Sequence, residues 1–108
     1  GKGSQSNNSS SNDPNKPKWE KEAATKGMNN FRTLQNTKIN GYKLSMDLEV
    51  GGSGKMNIHL KIGDVKYFWN GQEFLSSEGV KIPNALKDNP IIQKALEKAL
   101  ETADKIAK

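Results

Sequence analysis

The chain holds one histidine, His59, and no cysteine. Thiol nucleophiles, thiolate metal sites and disulfides are therefore excluded, and proton transfer near neutral pH falls first to that imidazole. Within reach in the sequence are carboxylates at Asp47 and Glu73, lysines at Lys61 and Lys66, and an aromatic ring at Phe68. Metal-independent cleavage of RNA needs such parts: a base for the 2′-hydroxyl proton, an acid for the leaving 5′-oxygen, and cations for the charged phosphorane. On this reading His59 with Asp47 or Glu73 moves protons and Lys61 and Lys66 carry the charge. Lys43, Lys55, Asn57, Phe68 and Asn70 contact RNA, Phe68 by stacking on a base. That chemistry calls for no metal and no other cofactor. A second chemistry would set Asp47, Glu49 and His59 around a hard cation, as a metal-dependent DNase does, but no His-x-His or His-Glu-x-x-His spacing accompanies them. The plain alternative is that a lone histidine on a solvated strand has no chemical role, which leaves a non-catalytic surface for nucleic acid or protein.

The elements that must position these residues follow from hydrophobic period. Tyr42, Leu44, Met46, Leu48 and Val50 alternate with Lys43, Ser45, Asp47 and Glu49, and Met56, Ile58, Leu60 and Ile62 alternate with Lys55, Asn57, His59 and Lys61, which is the pattern of half-buried strands. Gly51-Gly52-Ser53-Gly54 joins them; it lacks the glycine spacing and following helix of a phosphate loop. Gly63-Asp64 and Asn70-Gly71 read as two-residue hairpin turns. Three turns make four strands. The first of those turns sets Ile62 opposite Val65, Leu60 opposite Tyr67, Ile58 opposite Trp69, Lys61 opposite Lys66 and His59 opposite Phe68. The second sets Phe68 opposite Glu73. The glycine-rich loop leaves two registers: Val50 with Met56 puts Asp47 opposite His59, whereas Val50 with Gly54 puts Ser45 there. A like-charge pair at Lys61 and Lys66, and a large ring at Phe68 on the wet face, both argue against a merely solvated surface.

Helices are expected at both ends. One starts near Pro17, with Trp19, Ala23 and Ala24 on a shared face and Gly27 as a stop; beyond it Met28, Phe31 and Leu34 extend the helical stripe or Phe31 to Asn36 form a short edge strand, and the spacing favours helix. At the other end Asn89 caps, Pro90 takes the first turn, and Ile92, Leu96, Ala99, Ala103 and Ile106 form the buried stripe. The predicted fold is α+β: a four-stranded antiparallel meander with N- and C-terminal helices packed on one face, leaving the polar face open. Residues 1–16 contain no large apolar side chain and read as a flexible linker to an upstream protein, with the folded domain over 17–108. The apolar fraction is only 32% and the net charge +5, of which +3 falls in residues 1–36. Such a charge permits a polyanionic partner without demanding one. No run approaches the length of a membrane span.

The segments Gly52-Ser53-Gly54-Lys55-Met56-Asn57-Ile58-His59-Leu60 and Lys66-Tyr67-Phe68-Trp69-Asn70-Gly71-Gln72-Glu73-Phe74, followed by a proline and a terminal Lys/Ala/Leu helix, resemble the C-terminal toxin tips of Rhs/YD-repeat polymorphic toxins, including wall-associated proteins of the contact-dependent growth inhibition type. The resemblance covers about residues 40–108. It implies a secreted or cell-wall-associated nuclease, typically acting on tRNA in the cytoplasm of a neighbouring cell. It also implies a cognate immunity protein, which for a basic toxin would be acidic, and it selects His59 as the catalytic position. With a single histidine, a two-histidine mechanism is excluded.

Overall fold

A computed structural model describes residues 19–22, 30–51 and 54–107 of the 108. Its elements are β1 (Lys21–Glu22), β2 (Asn30–Ile39), β3 (Tyr42–Val50), β4 (Lys55–Ile62), β5 (Val65–Trp69), β6 (Phe74–Ser76), α1 (Asn84–Lys87) and α2 (Pro90–Ala107). Strands β2 to β6 run as an antiparallel meander in chain order, and β1 pairs with the start of β4.

Two expectations change here. The sheet has a fifth long strand, because residues 30–39 are extended rather than helical. Asn40 and Gly41 both have positive φ, 51° and 81°, the signature of a type I′ turn. Asn-Gly is the sequence that adopts that turn most readily, so it folds β2 back onto β3. The N-terminal helix is also not seen where the chain is described: Lys21 and Glu22 are extended and pair with Met56 and Lys55. Residues 17, 18 and 23–29 of that expected helix, and the expected linker over 1–16, lie outside the described residues. Among the described residues helix is found only at the C-terminal end.

The rest of the meander follows its alternation. Leu44, Met46 and Leu48 of β3 and Met56, Ile58 and Leu60 of β4 are at most 1% exposed, and each such burial is worth about 1.5–3 kcal/mol. Helix α2 roofs this face, contacting β1, β2 and β3. Its stripe of Ile92, Ala95, Leu96, Ala99 and Ala103 is buried, and Asn89 Oδ1 accepts from the N–H groups of Ile91 at 2.8 Å and Ile92 at 3.4 Å, as an N-cap should. A Lys21–Asp104 ion pair ties β1 to α2. Tyr42 and Val65, expected inside, sit at the strand ends with 41% and 46% exposure.

Between β5 and β6 the register differs from the expected one. Trp69 pairs with Phe74 and Phe68 with Leu75, two residues away from the pairing a two-residue turn would give. Asn70 is the cause: its Oδ1 accepts from the N–H groups of Gln72 and Glu73 at 2.8 and 2.9 Å, making residues 70–73 a four-residue loop of the Asx type. Gly71 within it has φ +102°, and Trp19 packs against its Cα side. The loop therefore removes Glu73 from the rung of His59.

Candidate functional site

Directly paired residues share a side of the sheet, so the ladder gives a map of the face away from α2. The register with Val50 opposite Met56 is the one adopted, and it places Asp47 opposite His59. One rung reads Arg32–Asp47–His59–Phe68–Leu75 across five strands. The rung toward the glycine loop reads Asn30–Glu49–Asn57. Toward the Gly63 turn, Ser45–Lys61–Lys66 comes first and Lys38–Lys43 lies beyond it. The face is thus acidic and amide-bearing at one end and cationic at the other.

Its centre is buried, contrary to the open face expected from the sequence. Ser45 and Asp47 are 7% exposed and His59 5%. Arg32 donates to both carboxylate oxygens of Asp47, Nε to Oδ1 at 2.7 Å and Nη2 to Oδ2 at 3.1 Å. This bidentate pair holds the Asp47 carboxyl below the usual carboxylate range: the Arg32 hydrogen bond is the largest cause, burial opposes it, and the charges of Arg32, His59 and Lys66 add to it. The same bond raises Arg32 further above its ordinary value.

His59 stands between two carboxylates without hydrogen-bonding to either. Nε2 is 3.6 Å from Asp47 Oδ2, beyond hydrogen-bond length. Nδ1 is 3.2 Å from Glu49 Oε1 but off the required angle, so it is a buried nitrogen with no partner. The Phe68 ring meets the imidazole edge-on, centroids 6.3 Å apart. Glu49, with its side chain 32% exposed, lies between Nδ1 and a groove of about 360 Å³ lined by Glu20, Asn30, Glu49, Val50, Gly51, Lys55 and Asn57. Asn57 Oδ1 is a second buried atom without a partner.

Of the residues singled out from sequence, Asp47, His59, Phe68, Lys61 and Lys66 are brought together, with Lys43 one rung beyond. Lys55 and Asn57 line the groove, where Lys55 Nζ is 3.8 Å from Glu20. Glu73 is not among them: it lies 3.7 Å from Lys81, and Asn70 is occupied in its own loop. Arg32 and Lys38 were missed, and Glu49 was considered only as a metal ligand. The Asn40-Gly41 turn would have brought Lys38 to Lys43. Arg32 was harder, because two register shifts in β2 move it onto Asp47; without them the turn would place Leu34 there.

Among the described residues no group of three His, Asp or Glu side chains is arranged to hold a metal ion, and no helix is long and apolar enough to cross a membrane. Comparison with protein-family models, curated proteins and solved structures found no match.

Proposed function

We propose that this domain is a metal-independent ribonuclease, acting on tRNA as the toxin of a larger secreted or wall-associated protein and held in check by an acidic immunity protein. The toxin setting rests on the motif resemblance; the chemistry rests on the site. The observation that carries it is the His59 imidazole fixed between Asp47 and Glu49, with Nδ1 unbonded and a cationic rung beside it. In this reading Nδ1 accepts the 2′-hydroxyl proton as that oxygen attacks phosphorus, the P–O5′ bond breaks to leave a 2′,3′-cyclic phosphate, and the departing 5′-oxygen takes its proton from solvent. Asp47, kept ionised by Arg32, faces Nε2 and favours the imidazolium that forms. Lys61 and Lys66 face the phosphate and offset the charge gathering on its oxygens, and Phe68 offers a stacking surface.

The test is incubation of purified protein with total RNA in EDTA. Cleavage should occur, and His59→Ala should abolish it while leaving the circular dichroism spectrum unchanged; cleavage that survives in the variant refutes the assignment. One observation favours a second reading. His59 is 5% exposed and Asp47 is already engaged by Arg32, an arrangement that also suits a structural histidine in a non-catalytic binding domain. That domain would retain RNA in a salt-dependent manner and leave both tRNA and DNA uncut with or without Mg²⁺.

A further inference from the structure

One buried acceptor without a hydrogen belongs to a residue lining the groove, and a second lies behind Glu49. Asn57 Oδ1 has no donor, and a neutral His59 offers a lone pair on one ring nitrogen, with Nδ1 unbonded. Between them is Glu49, whose carboxylate has, among the described residues, one ionic partner, the 3.2 Å approach of Oε1 to Nδ1, and no hydrogen bond through its second oxygen. Unsatisfied buried polar atoms favour a ligand that supplies what they lack, and here the lack is hydrogen-bond donors. The other end of the face is occupied by Lys61 and Lys66, paired across their strands, with the charge of Lys66 also felt by Asp47. An RNA strand laid along β4 would therefore put phosphate at Lys61, the 2′-hydroxyl at His59 and a base in the groove.

We infer that the groove is a guanine subsite in which Glu49 reads the base and, in doing so, uncovers His59. Guanine alone among the four bases presents two adjacent donors, N1–H and N2–H, and a carboxylate accepts both side by side. Asn57 Oδ1 takes the remaining N2 hydrogen, while Lys55 donates to O6. Glu49 is half-exposed and hydrogen-bonded to nothing, so turning from Nδ1 to the base breaks no hydrogen bond. That turn opens Nδ1 to the 2′-hydroxyl of the same nucleotide. The inference rests on the ribonuclease reading for its second half only; base recognition stands without cleavage.

The experiment is equilibrium binding of 3′-GMP, 3′-IMP, 3′-AMP, 3′-CMP and 3′-UMP to the full chain, with the phosphate held constant so that differences report the base. GMP should bind roughly ten- to a hundredfold tighter than AMP, CMP or UMP, with IMP, which lacks the N2 amine, in between. Glu49→Gln should remove the preference, bringing GMP to the affinity of the other nucleotides in the same variant, and Asn57→Ala should narrow the gap between GMP and IMP. Equal binding of all five, or a preference that survives Glu49→Gln in a folded variant, overturns the subsite. In parallel, cut sites in RNA are sequenced. Selective GMP binding with no cleavage sinks the nuclease and keeps the subsite; cleavage at every base, with no GMP preference, does the reverse.

Discussion

Replacing Arg32 by Gln deletes two charge-assisted hydrogen bonds to a carboxylate that is 7% exposed. Hydrogen bonds to charged groups contribute about 1.5–3 kcal/mol, and stripping the partner from a fully buried ion costs about 3–5 kcal/mol. Arg32 itself is 40% exposed, so water screens the pair and will solvate part of what is lost; about 1–2 kcal/mol is the figure to test. In a small domain with a total stability of roughly 5–10 kcal/mol, that loss is easily read by urea denaturation. The dependence on pH has a fixed sign. Arg32 lowers the Asp47 carboxyl in the folded state, so the unfolded chain binds its proton at higher pH than the folded one. The stabilisation is complete above the ordinary aspartate value of about 3.9 and is lost as pH falls through the lower folded value. A double-mutant cycle of Arg32→Gln with Asp47→Asn should therefore give a coupling of about 1–2 kcal/mol at pH 7 that shrinks as the pH is taken down through the lowered Asp47 value. A coupling that does not change as Asp47 is protonated, or that is absent at pH 7, refutes the account of this pair.

Two further substitutions separate fold from function. Lys61→Glu converts the repulsive rung with Lys66 into an opposite-charge pair and should raise stability by about 0.2–1 kcal/mol, while weakening RNA binding and flattening its dependence on salt by about one phosphate contact; a stability loss with RNA binding intact would show that the lysines serve the fold. Gly41→Val forces a β-branched residue to φ +81° and should cost about 1–2 kcal/mol, measured by the same urea titration, and a neutral result would mean that this turn is not held in the left-handed region.

Much of the sheet was legible because period-two alternation and turn chemistry are local. The pairs Ile62–Val65, Leu60–Tyr67, Lys61–Lys66 and His59–Phe68 all follow from Gly63-Asp64 and are present. The failures came where one residue type permits two geometries. Phe31 and Leu34 fit a helical stripe as well as a strand, and what decides between them is the turn at Asn40-Gly41, beyond the stripe itself. Asn70-Gly71 reads as a tight turn until the Asn70 side chain captures two backbone N–H groups and widens the loop. The two extra residues that bulge β2 leave no mark in composition, yet they carry Arg32 onto Asp47.

Burial of the polar face was illegible for a related reason. Alternation says which side a residue faces, and what stands beside it is a matter of register. Once Arg32, Asp47, His59 and Phe68 share one rung, long side chains at each end wall in the middle pair, and the histidine that alternation places on a solvated strand face is one of the least accessible polar groups among the described residues. The burial also sharpens the chemistry. A solvated carboxylate beside a solvated imidazole has water for every lone pair, whereas at 5% exposure the geometry between His59 Nδ1 and Glu49 leaves a nitrogen that no described group bonds. The core that stabilises the domain lies wholly on the opposite face, under α2. The unbonded nitrogen, the free amide oxygen of Asn57 and the repelling lysines can therefore be tolerated together on this one, ready for a partner that donates hydrogens at one end and negative charge at the other. A strand of RNA offers both within a single nucleotide.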